Sequence, residues 1–116
     1  MKILRGHLYL VDFNPRILTK PGKIRPAVVV QSDLVNEAGY PSTLVIPTTS
    51  KVIPDAGFLR LHLSKGLCGL NQASDLLIGQ MIAVANVSIK KELGELPKPL
   101  ISELNSRLLA LLDLRE

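Results

Sequence analysis

The chain has 116 residues, enough for one domain (residues 1–116) with a buried core, and 47% of them are hydrophobic. Its single cysteine excludes an intrachain disulfide, and two tyrosines, two phenylalanines and no tryptophan argue against a protein that stacks many bases on aromatic rings. The net charge of +4 is uneven: residues 1–25 carry six Lys or Arg against Asp12 alone, whereas the rest of the chain carries eight basic and nine acidic groups.

Localised positive charge suits an anionic partner such as nucleic acid or an acidic peptide; an ordinary basic surface is the competing explanation. The opening "MKILRGHLYLVDF" lacks the apolar stretch and cleavage site of a signal peptide. No apolar run approaches the ~18 residues of a membrane span. A cytoplasmic protein without a membrane contact is therefore expected. His7, His62 and Cys68 are scattered rather than set at zinc-ligand spacing, so neither a metal nor another cofactor is expected.

In chain order, "HLYLVDF" (His7 to Phe13) is apolar on both alternating faces and reads as a strand covered on both sides. "NPRILTKPGKIRP" holds two turn signals, Asn14-Pro15 and Pro21-Gly22, and reads as a long exposed loop. "AVVVQ" is β-branched and reads as a strand. Ser32-Asp33 opens a short turn or helix that ends near Gly39 and Pro41. "STLVIPTTS" is a third strand with Pro47 near its end, and Val52 to Gly57 is a loop. "FLRLHLS" alternates as a half-buried strand at a sheet edge. "GLCGLNQAS" connects to "DLLIGQMIAVANVSI", one long strand with a break expected at Gly79. Pro97 and Pro99 introduce an amphipathic helix, with Leu100, Ile101, Leu104, Leu108, Leu111 and Leu112 at helical spacing. Several short strands followed by one helix imply a mainly β (α+β) fold, a small twisted or barrel-like sheet capped by the C-terminal helix.

Two strand ends carry groups suited to chemistry. Arg25 precedes an apolar strand and follows Lys20 and Lys23; a guanidinium held there can grip a phosphate in bidentate fashion and stabilise a charged transition state. "PTTS" puts Thr48, Thr49 and Ser50 at another strand end, where hydroxyls either donate to phosphate oxygens or cap the local backbone. Strands consecutive in sequence often pair, which would bring the two ends together. His7 and His62 are acid/base candidates without a neighbouring partner in sequence. Cys68 reads as a buried thiol and Asp12 as a structural acceptor.

These segments carry a family resemblance. "RGHLYLVDFNP" (Arg5 to Pro15), "RPAVVVQSDLVN" (Arg25 to Asn36), the strand "STLVIPTTS" and the closing Leu-rich helix occur in the order and spacing of the MazF/PemK toxins of bacterial toxin–antitoxin systems, which the chain resembles over nearly its whole length. The first two motifs are the specific ones. The resemblance implies a small SH3-like β-barrel, of the type shared with CcdB, assembled as a homodimer. It implies metal-independent, sequence-preferring cleavage of single-stranded RNA by attack of a ribose 2′-OH on the adjacent phosphate, with a cognate antitoxin as the neutralising partner. Carried over residue by residue, Arg25 and Thr49 are the catalytic pair, and Arg16, Lys20, Lys23, Ser50 and Gln80 are RNA-binding positions. The chain departs from its relatives where Lys20 replaces a loop acid, and where Gln80 stands without the usual neighbouring acid, Arg and Asp. Two alternatives stay open: a gyrase-binding toxin resembling CcdB, which the helix end "LLDLRE" disfavours by lacking an aromatic, and a catalytically silent binding relative.

Overall fold

The computed structural model describes residues 1–13 and 23–114. Strand β1 (His7–Asp12) is covered on both faces, as its pattern predicts. Leu8 enters one apolar cluster, Tyr9 and Val11 the other, and all three are fully buried. Strand β2 (Ile24–Val29) begins earlier than the expected "AVVVQ" and takes in Arg25 and Pro26. Pairing is the reason: Leu10, Val11 and Asp12 face Pro26, Arg25 and Ile24 across an antiparallel ladder. The last residues of the expected loop are therefore strand. Residues 14–22 of it, with Arg16 and Lys20, lie outside the described residues.

Ser32 caps the short helix α1 (Asp33–Glu37), its hydroxyl accepting the Leu34 N–H at 3.2 Å. Strand β3 (Ser42–Thr49) is the hub of the sheet, pairing with β2 and with two segments of the later chain. Strand β4 (Arg60–Leu63) is an edge, as expected, with Leu61 and Leu63 buried and His62 exposed. It is shorter than the pattern suggests, because Phe58 and Leu59 remain exposed.

The expected long strand is broken near Gly79. It forms β5 (Ser74–Leu77) and β6 (Ile82–Ala85), separated by a 3₁₀ turn at Ile78–Gln80. Both pieces run along β3: Thr48 faces Leu76, and Val45 faces Ile82. Three residues on β3 thus correspond to six on the other side, and the turn absorbs the difference. Strand β7 (Ile89–Glu95) was not apparent from the sequence. Lys90, Lys91 and Glu92 are all exposed there, so no apolar alternation marks it.

The seven strands among the described residues form one antiparallel sheet of order β4-β5-β3-β2-β1-β7, with β6 on β3. Among the described residues β4 and β7 do not pair, so the sheet is open and the expected barrel is only loosely one. Helix α2 (Lys98–Leu111) starts after Pro97 and buries Leu104 and Leu108 against one face. Leu100, Ile101 and Leu111 pack partly buried beside them, but Leu112 is exposed. Among the described residues no helix is long and apolar enough to cross a membrane.

Candidate functional site

Arg25 and Thr49 come together through register. Ala27 of β2 faces Pro47 of β3, and the same antiparallel register continued two residues sets Arg25 opposite Thr49. Pro26 has no N–H for the ladder. Its carbonyl instead accepts from the buried Thr48 hydroxyl at 2.8 Å, which ties the two strand ends together. Both residues line a groove of about 670 Å³. Its walls are the start of β2, the end of β3 and the start of the following loop, the connector between Gly69 and Ser74, and Lys91 and Leu93 of β7.

The groove is cationic. Lys23, Arg25, Lys51 and Lys91 line it, and none of the described lining residues is Asp or Glu. Such a cleft concentrates an anionic ligand. Arg25 is half-buried, and its Nη1 lies 3.5 Å from the Thr48 carbonyl, a long and weak contact. No described carboxylate lies in ion-pair range of it. Among the described residues its guanidinium makes no other hydrogen bond, which leaves donors for a ligand oxygen. The Thr49 hydroxyl oxygen accepts the Lys51 N–H at 3.2 Å, so it does cap the local backbone, while the hydroxyl hydrogen can still be donated.

Of the other expected positions, Lys23 and Ser50 line this groove. Gln80 sits exposed in the turn between β5 and β6 and is not among the lining residues. Lys51 and Lys91 were missed. Lys51 directly follows "PTTS", and Lys91 hides in a strand that pattern did not reveal. Another unread feature lies beside the groove, whose lining includes Gly69 and Leu93. Gly69, at φ +78°, and Gly94 of β7 bring two backbones into contact: a Cβ on Gly69 would strike the Leu93 carbonyl, and one on Gly94 would lie 2.7 Å from the Cys68 carbonyl carbon.

The histidines have carboxylate partners from distant segments. His7 Nδ1 is 3.2 Å from Glu92 and its Nε2 3.6 Å from Glu95. His62 Nδ1 donates to Asp75 Oδ1 at 3.0 Å. Burial pushes the Asp75 carboxyl upward, but hydrogen bonds from the Ile53 N–H, His62 and Arg60 outweigh it and hold its pKa below the usual carboxylate value. Burial raises the pKa of the Cys68 thiol, which is half-buried rather than buried and is a poor nucleophile.

The Arg25–Asn36 motif thus divides into two jobs. Arg25 faces the groove, whereas Gln31 and Asn36 join each other at 2.9 Å and Asp33 accepts the Arg5 N–H at 2.8 Å, fastening α1 to the sheet. The family model described as "PemK-like, MazF-like toxin of type II toxin-antitoxin system" matches residues 4–112. The chain belongs to this toxin family. Endoribonuclease MazF6 of Mycobacterium tuberculosis is 26% identical over 114 residues, covering 98% of this chain and all of that one. Endoribonuclease MazF of Staphylococcus saprophyticus is 26% identical over 102 residues, covering 88% of this chain and 84% of that one. Among solved structures, the M. tuberculosis toxin MazF-mt6 superposes with a TM-score of 0.78 at 16% identity, covering 95% of this chain and 99% of that one. The MazE–MazF structure from Deinococcus radiodurans gives 0.77 at 22% identity, covering 97% and 98%. At these identities the structures establish the shared fold.

A second groove, of about 480 Å³, has the opposite character. Leu44, Met81, Leu108, Leu109, Leu112 and Leu114 line it beside Arg5 and Asn105. Leu109, Leu112 and Leu114 are 44%, 47% and 63% exposed, a continuous apolar surface at the end of α2.

Proposed function

We propose that this toxin is a metal-independent endoribonuclease acting on single-stranded RNA in the cytoplasm, with Arg25 and Thr49 as its catalytic pair. The observation that carries this reading is their juxtaposition across β2 and β3 in a cationic groove whose described lining holds no carboxylate. In the reaction the ribose 2′-OH attacks the adjacent phosphorus and the bond to the 5′-oxygen breaks. The products are a 2′,3′-cyclic phosphate and a free 5′-OH. Negative charge grows on the non-bridging oxygens as the phosphorane forms. Arg25 supplies two charge-assisted donors to that charge, and Thr49 a third hydrogen bond. An arginine of pKa above ~12 stabilises charge far better than it takes a proton, so the base is assigned to no residue. Lys23, Lys51 and Lys91 hold the flanking phosphates, with Ser50 donating at the same strand end. Arg16, Lys20 and Gln80 remain proposed RNA contacts.

A cognate antitoxin is the proposed neutralising partner; an acidic peptide suits the same cationic groove. A homodimer is the proposed assembly, supported by the exposed apolar surface at the end of α2. The gyrase-binding alternative loses ground, because the family model and the similar solved structures are MazF-like. The deciding experiment incubates purified protein with single-stranded RNA in EDTA and maps the new ends. Cyclic-phosphate ends are expected, and a 2′-deoxy nucleotide at the cleaved position should block cutting, since the nucleophile is then missing. RNA of varied sequence left intact, with antitoxin binding retained, would select the silent relative instead.

A further inference from the structure

Asp75 lies beside the site but outside its groove. It occupies the middle of a three-strand row: Thr49 of β3 faces it on one side and His62 of β4 on the other. The residue is 1% exposed, yet its carboxylate is fully engaged. It accepts from His62 Nδ1 at 3.0 Å, Arg60 Nη1 at 3.1 Å and the Ile53 N–H at 3.0 Å. Arg60 Nη1 also donates to the Lys51 carbonyl at 2.9 Å. Carboxylate and guanidinium together therefore hold two peptide groups, at Lys51 and Ile53, just beyond Thr49.

The Lys51 residue is consequently gripped from both ends. Its carbonyl is held by Arg60, and its N–H donates to the Thr49 hydroxyl oxygen at 3.2 Å. A hydroxyl that accepts one fixed hydrogen bond has fewer directions left for its own hydrogen. We propose that Asp75 is a positioning residue for Thr49, acting through Arg60 and the Lys51 peptide to aim the Thr49 hydroxyl into the groove. His62 steadies the carboxylate through its Nδ1. The inference rests on the endoribonuclease reading above, and adds to it a relay that touches no substrate.

The test is a double-mutant cycle. Cleavage of a short single-stranded RNA is measured for wild type, Asp75→Asn, Thr49→Val and the double variant, separating kcat from KM. Asp75→Asn should lower kcat by roughly tenfold to a hundredfold, because a small misplacement of a catalytic donor is that costly, with KM within about twofold. With Thr49 already Val, the same change should cost less than about threefold, since the group being aimed is gone. Equal losses in both backgrounds, or a loss confined to KM, would overturn the relay while leaving the endoribonuclease reading standing. A wild-type protein that cuts no RNA overturns both. Should Asp75→Asn fail to fold, Arg60→Gln breaks the relay one link later, leaves the carboxylate with Ile53 and His62, and must show the same coupling to Thr49.

Discussion

The two grooves differ in what they ask of a ligand. The one at the end of β3 is lined by Lys23, Arg25, Lys51 and Lys91 and leaves the Arg25 donors weakly engaged. The one at the end of α2 is lined mainly by leucines, half-exposed at Leu109 and Leu112. Charge in the first groove attracts a partner that arrives and leaves, and its strength depends on salt. Apolar surface in the second is stabilised by permanent cover and is nearly indifferent to salt. On the proposed function, a toxin that releases RNA and stays assembled would use both kinds of surface, kept apart.

The sharpest way to break the contrast is at Arg25. Arg25→Ala should reduce RNA cleavage by about a thousandfold or more, since several transition-state donors vanish together. Its unfolding free energy should stay within about 0.5 kcal/mol of wild type, because little protein depends on that guanidinium. A large drop in stability would make the residue structural and the groove incidental. The second groove is probed by Leu112→Asp. An unpaired carboxylate there should weaken self-association at least about tenfold, read by sedimentation or light scattering against concentration. Unchanged assembly would mean that the apolar face is covered by something other than a second copy.

Smaller effects sharpen the electrostatic half. Lys91→Ala should weaken RNA binding only a few-fold, but should flatten the plot of log affinity against log salt by about 0.7 for a single-stranded ligand. An unchanged slope would remove Lys91 from the contact. The smallest effect concerns acid. The folded pKa of Asp75 lies below its unfolded value of about 3.9, so its contribution is present above that pH and is lost as pH falls through the folded value. Between pH 5 and 3, wild type should therefore lose more stability to urea than Asp75→Asn does. Parallel curves would show that the carboxylate is not what acid titrates.

What was readable in the sequence was local. The amphipathic helix announced itself because Leu104 and Leu108 recur at the helical period, and Arg25 and Thr49 stood at the ends of strands close enough in sequence to pair. The Asp75 cluster was hidden because its members lie on two strands and a loop whose register is set only on folding. His62 looked solitary for the same reason. Strand β7 was missed because Lys90, Lys91 and Glu92 break the alternation, and its hold comes from β1 rather than from its own pattern. Gly79 marked the break between β5 and β6, but the length of the intervening turn depended on β3.

The close approach of Gly69 to Leu93 and of Gly94 to Cys68 has a consequence for how this sequence can drift. Each glycine is kept small by the backbone of the other's segment, so neither site can accept a side chain while the two segments stay in place. Random mutagenesis under selection for toxicity should therefore leave these two positions nearly blank. Length changes in the Gly69–Ser74 connector should be filtered just as strictly, although none of these backbone atoms need ever touch RNA. The close approach fixes how near the two segments lie, and its record would be written in which variants never appear.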